Sequence, residues 1–132
     1  MKIAYLDCFS GIAGDMMLAA LLDAGADFEA VRLGLDSMGL DYVGLEQRSV
    51  LKNGFRANYL QIDAPPEQTH RHLKDIVRLI QQAQISESAK KLAEAIFFRL
   101  ATAEARVHGV SVDHVHFHEV GAVDSIADIV GT

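Results

Sequence analysis

Tyr42-Val43-Gly44-Leu45-Glu46-Gln47-Arg48-Ser49-Val50-Leu51, then Lys52-Asn53-Gly54, then Phe55-Arg56-Ala57-Asn58-Tyr59-Leu60-Gln61-Ile62-Asp63, is the stretch that decides the class of fold. Two runs of strand-tolerant residues flank an Asn-Gly pair. Both residues accept positive φ, which a tight turn between antiparallel strands requires. The expectation is a hairpin, Tyr42–Leu51 against Phe55–Asp63. Glu46, Gln47 and Arg48 run together and break the alternation, so one strand half should lie at an edge or carry a bulge. Pro65-Pro66 ends the second strand.

Upstream, Lys2 to Phe9 reads as a first strand, with Ile3, Tyr5 and Leu6 as its apolar residues. Ser10-Gly11-Ile12-Ala13-Gly14-Asp15 is a turn into a helix over Met16 to Ala24, stopped by Gly25. Asp27 can cap a second helix, Phe28 to Met38, ended by Gly39. Downstream, Thr69 can cap a helix whose Leu73, Ile76, Val77 and Ile80 share one face. Ser86 caps a longer helix, Glu87 to His108, with Leu92, Ile96, Leu100, Ala103 and Val107 on one side and Gly109 at its end. Phe97 and Phe98 read as core or interface residues. The order is β-α-α-β-β-α-α-(β)-α. It predicts a single α/β or α+β domain over 1–132, a small mixed sheet with an antiparallel hairpin and helices packed on it.

Composition narrows the function. The chain has 132 residues, half of them hydrophobic (50%), and a formal net charge of -6. No basic run is present, which argues against a nucleic-acid binder that works by neutralising phosphates. No apolar run is long enough to span a bilayer, and Asp7 interrupts any signal-peptide core, so a cytoplasmic protein is expected. The single cysteine, Cys8, cannot form an internal disulfide. It reads as a small buried hydrophobe, with a soft-ligand role as the alternative.

The chemistry concentrates in His114-Val115-His116-Phe117-His118-Glu119, followed by Asp124 and Asp128. In an extended chain the three imidazoles would share one face. In a helix from Ala122, Asp124 and Asp128 would share one face too. Such a set suits a divalent metal or acid–base work. Candidate metal ligands are His114, His116, His118, Asp7 and Asp15. Candidate proton-transfer groups are Glu119, Asp124 and Asp128. Ser10, Gly11 and Gly14 form a weak anion-binding candidate, because backbone N–H groups at a helix start can hold one. His70 and His72 read as solvated residues of a helix start, two apart and facing different ways. His108 is explained by the helix dipole.

Two motifs carry a family resemblance. They are Asp7-Cys8-Phe9-Ser10-Gly11-Ile12-Ala13-Gly14-Asp15-Met16 and the stretch from His114 through Asp128 to Gly131. Together they resemble the N-terminal part of the LarC family, nickel-insertion proteins that make the nickel-pincer nucleotide cofactor of lactate racemase. The resemblance implies insertion of Ni2+ into pyridinium-3,5-bisthiocarboxylic acid mononucleotide, with nickel–carbon and nickel–sulfur bonds formed. It implies CTP, with Mg2+ or Mn2+, used only by the full-length protein, through a C-terminal part beyond these residues. Glu119, Asp124 or Asp128 would be the base, or would orient the imidazoles.

Two alternatives stand beside it. One is a divalent-metal-dependent phosphoesterase or nucleotide-binding enzyme, with Asp7, Asp15, His116, His118 and Asp124 holding two hard ions. The other is a non-catalytic assembly domain. Its apolar Ile126, Ile129 and Val130 would dock on a C-terminal domain or on a second copy in a homo-oligomer.

Overall fold

The computed structural model describes residues 3–40, 42–65, 71–117 and 122–132. Five helices and two antiparallel ladders make an α+β arrangement. In chain order they are α1 (Gly14–Asp23), α2 (Phe28–Asp36), β1 (Gly44–Lys52), β2 (Phe55–Asp63), β3 (Arg71–His72), α3 (Leu73–Gln82), α4 (Glu87–His108), β4 (His116–Phe117) and α5 (Val123–Gly131). A short 3-10 turn, Val112–His114, precedes β4.

The hairpin forms as its sequence dictates. Asn53 and Gly54 both take positive φ, 53° and 83°, and Lys52 pairs with Phe55 across the turn. The register runs unbroken from there to Gly44 opposite Asp63, so the polar run at Glu46 causes no bulge. A two-stranded ladder has only edge strands, so neither strand needs strict alternation. Arg48 and Tyr59 are directly opposed, and the guanidinium sits 4.8 Å from the ring centroid. The base of the hairpin packs on α1, where Leu18, Ala19, Leu22 and Leu60 are buried together. Arg56 of β2 adds an exposed ion pair to Asp23 of α1 at 3.1 Å.

The larger core lies among the helices. Ile76 and Ile80 of α3, Phe97 and Ala101 of α4, Phe117 of β4 and Ile126 of α5 are fully buried. Phe97 and Phe117 meet edge to face with centroids 6.3 Å apart. The buried stripe of α4 is Ala93, Phe97, Ala101 and Ala105. This corrects the expected face, since Leu92 and Val107 are exposed and Ala103 is outside the buried set. Alanines at i, i+4 spacing let α3 approach closely, and one phenylalanine then fills the space that several leucines would crowd. The caps at Asp27 and Ser86, and the left-handed Gly109 that ends α4, match expectation.

Several expectations change. Residues 3–9 form no strand: Ile3, Tyr5 and Phe9 are 78%, 88% and 91% exposed, and no described strand pairs with them. A strand's stability lies in its neighbours, and apolar content alone does not supply one. Cys8 is accordingly exposed rather than buried. The mixed sheet is replaced by two separate antiparallel ladders, β1-β2 and β3-β4. Thr69 lies outside the described residues, and His72 is the residue that precedes α3. Its backbone N–H donates to Asp75 Oδ2 at 3.1 Å. Ile126 is fully buried within the chain, so it offers no docking surface.

Phe97→Ala should therefore lower stability by about 3–5 kcal/mol. Denaturant titration with far-UV circular dichroism would measure it. The same change at the exposed Phe98 should cost well under half as much.

Candidate functional site

The site is built where α1 and α5 meet. Gly14 opens α1, and a Cβ placed on it would lie 2.5 Å from Asp128 Cβ. Only glycine allows this approach. It brings the backbone N–H of Asp15 onto the Asp128 carboxylate as a hydrogen-bond donor. Asp124, one turn before Asp128 on α5, completes a set of three carboxylates. They line one cleft of about 220 Å³ with Tyr59 and Gln61 of β2. The expected alignment of Asp124 and Asp128 on one helix face is realised, and Asp15 joins them from the neighbouring helix.

Asp128 is the unusual member. Its Oδ1 is buried with no hydrogen-bond partner among the described residues. Burial pushes its carboxyl up to about 6, the charges of Asp15 and Asp124 add to the rise, and the Asp15 N–H offsets part of it. Asp128 also borders a second, mainly apolar pocket of about 350 Å³ beside Cys8, Ile12 and Met17. It stands between an acidic cleft and an apolar pocket.

For the expected anion-binding turn Ser10, Gly11 and Gly14, the structure gives part of the loop and helix start partners within the chain. The Gly11 N–H donates to Cys8 O at 2.9 Å, and the Met16 N–H donates to Asp15 Oδ1 at 2.8 Å. The Asp15 N–H is given to Asp128, so two N–H groups of the first turn of α1 meet the chain's own carboxylates. Gly14 is required for helix contact instead.

The histidines divide. His114 lies in the 3-10 turn, with Nδ1 2.6 Å from Ser111 Oγ, so it does not share a strand face with His116. His116 sits in β4 directly opposite His72 in β3, their ring centroids 4.0 Å apart. His72 therefore stands at a helix start, as expected, but half-buried and paired rather than solvated. Its Nδ1 lies 3.1 Å from Val115 O. The sequence signal that points to it is the His-x-His spacing at 70–72, which matches 114–116 and suits two paired strands. His118, Glu119 and His70 lie outside the described residues. Asp7 is exposed on the irregular segment and does not line the carboxylate cleft. Among the described residues, no three His, Cys, Asp or Glu side chains are gathered closely enough to hold one metal ion. Of the expected ligands His114, His116, His118, Asp7 and Asp15, the described residues place Asp15 in the carboxylate cleft and His116 opposite His72, with His114 and Asp7 in neither place.

The model of one family, nickel insertion protein, matches residues 4–132. The chain belongs to the nickel insertion protein family. It is 48% identical over 131 residues to the pyridinium-3,5-bisthiocarboxylic acid mononucleotide nickel insertion protein of Desulfitobacterium hafniense, covering 99% of this chain and 33% of that protein. A Rhodopirellula baltica protein carrying the nickel-insertion name is 52% identical over 131 residues, 98% of this chain and 33% of its own length. One from Geobacter sulfurreducens is 49% identical over 133 residues, 99% and 34%. The chain spans about a third of the length of these nickel insertion relatives. No solved structure matches it significantly. No helix among the described residues is long and apolar enough to cross a membrane.

Two outcomes follow from the α1–α5 contact. Gly14→Ala should cost about 1–3 kcal/mol, because the new Cβ meets Asp128 near its backbone rather than at a flexible tip. Thermal unfolding would read it. Asp128→Asn should act in the opposite direction at neutral pH. The folded chain holds this proton with a pKa of about 6 against an ordinary 3.8. Stability is therefore lost as pH rises through 6 and regained as pH falls toward 3.8. Asn removes that penalty, so the variant should be more stable than wild type by about 1 kcal/mol at neutral pH, a value reduced for partial exposure. The difference should close at a pH near the ordinary 3.8, and unfolding curves at both pH values would show it.

Proposed function

We propose that this chain is the N-terminal domain of an enzyme that inserts nickel into pyridinium-3,5-bisthiocarboxylic acid mononucleotide, making the nickel-pincer nucleotide cofactor of lactate racemase. The observation that carries the proposal is Asp128, poised between an acidic cleft and an apolar pocket with a carboxyl of pKa about 6. Family membership over residues 4–132 and the name of the Desulfitobacterium hafniense relative supply its context.

The chemistry sets the requirements. Forming a nickel–carbon bond at the pyridinium ring breaks a ring C–H bond, so one proton must leave as Ni2+ takes the carbon electron pair. The thiocarboxylates bind nickel through sulfur as thiolates. A group ionised at neutral pH yet close to it in pKa is suited to accept the ring proton. Asp128 meets that condition, while Asp15 and Asp124 keep negative potential where a cation must approach. The apolar pocket has the size to take a flat heteroaromatic ring, within the ordinary range for small-ligand sites. Nickel is cargo here. The enzyme is a nickel chelatase, or cyclometallase, a lyase acting in the cytoplasm. CTP and its Mg2+ or Mn2+ belong to the remaining two-thirds of the family's length. The phosphoesterase alternative is the weaker reading, because the family match and the name of the Desulfitobacterium hafniense relative both point to nickel insertion.

The test is nickel incorporation into the mononucleotide, read by mass spectrometry. This chain would be supplied with the remaining two-thirds of the Desulfitobacterium hafniense relative, Ni2+, CTP and Mg2+. Product should form, and Asp128→Asn should slow it by about 10²–10⁴-fold. Undiminished turnover in Asp128→Asn would remove Asp128 as the base. No product from the wild-type mixture would remove the proposed function.

A further inference from the structure

We infer that His72 and His116 form a two-imidazole grip for a divalent transition metal, a loading site for nickel separate from the carboxylate cleft. The inference rests on the nickel-insertion reading for the identity of the ion, but its geometry stands on the β3-β4 ladder alone.

Three observations combine. First, the ladder places the two residues directly opposite each other, with centroids 4.0 Å apart and ring planes tilted by 48°. Opposed residues of an antiparallel pair project to the same face, so both rings can reach one ion. Second, His72 is oriented from behind. Its Nδ1 lies 3.1 Å from Val115 O, a contact in which the ring nitrogen donates and the carbonyl accepts. Nε2 is then the ring nitrogen offered to an ion, and the carbonyl holds the ring as a supporting group would. Third, the scaffold is stiff where it must be and open where an ion must enter. Val115 and Phe117, on either side of His116, are 2% and 0% exposed. They anchor the strand and turn His116 outward into solvent, while half-buried His72 is held by the start of α3.

A pair of imidazoles has consequences for cargo. It suits nickel, copper and zinc over magnesium. It leaves most coordination positions open, so an incoming sulfur ligand can displace water without first breaking a closed shell. Grip by two ligands is also weak enough to release the ion, which a carrier site requires.

The probe is Ni2+ alone, added to the 132-residue chain without substrate. Nickel is paramagnetic, so the imidazole resonances of His72 and His116 should broaden first and together, ahead of those of His108 and His114. Calorimetric titration should show Ni2+ affinity reduced at least about 10-fold in His116→Ala, within the range for loss of a metal-supporting group. A similar loss is expected in His72→Gln, which keeps a polar side chain at the start of α3, and Mg2+ should not compete. Broadening that spares both rings, or wild-type affinity in both variants, overturns the inference. Loss of binding through Asp15→Asn and Asp124→Asn alone also overturns it and moves the ion to the cleft. Neither result touches the nickel-insertion reading, which is decided by product formation in the mass-spectrometric assay. Conversely, intact Ni2+ binding at the pair with no metallated product would leave the grip standing and remove that reading.

Discussion

Helices α1 and α5 lie in contact because glycine stands at both ends of their crossing. Gly14 admits Asp128, and at Gly131 a Cβ would meet Leu18 Cδ2 at 2.9 Å. One turn along α1 corresponds to about one turn along α5, so the two helices run the same way through the contact. This crossing joins the hairpin to the helical body. Leu18 and Leu22 of α1 pack with Leu60 of the hairpin, while Ile126 and Ala127 of α5 belong to the core shared with α3 and α4. A bulkier residue at either glycine would separate the two halves and open the cleft between them.

The same contact sets the acid–base character of the site. A carboxylate on a free surface would titrate in its ordinary range. Pressed against Gly14, Asp128 loses water from Oδ1 and gains two acidic neighbours, and only the Asp15 N–H compensates. Desolvation wins over that single hydrogen bond. The raised pKa of Asp128 comes from packing at a small residue. The histidine pair is arranged on another principle. His72 and His116 meet across a two-residue ladder, and neither lines the carboxylate cleft.

Much of the fold is legible in the sequence because it is local. The Asn53-Gly54 turn, the Asp27 and Ser86 caps and the Gly109 stop each depend on a few neighbouring residues. The alignment of Asp124 with Asp128 follows from helical spacing alone. The features that escape the sequence are long-range. Residues 3–9 have strand composition but no described strand to pair with. The buried face of α4 is hard to see because small alanines carry a weak hydrophobic signal, though they permit the closest helix approach. His72 is hidden because a helix begun a turn earlier would point it away from His70, whereas two residues of ladder set it opposite His116.

The sequence by itself determined most of the helices, the hairpin and the family, since turn chemistry, caps and the motifs at Asp7–Met16 and His114–Gly131 are properties of neighbouring residues. Only the tertiary structure decided which chemical groups meet. Asp15 reaches Asp128 from the far end of the chain, and the His72 ring reaches the Val115 carbonyl, beside His116, across 43 residues. Such pairings arise from where whole helices and ladders come to rest, and burial then sets the pKa of Asp128. No local pattern encodes that quantity, because it depends on atoms contributed by distant parts of the chain.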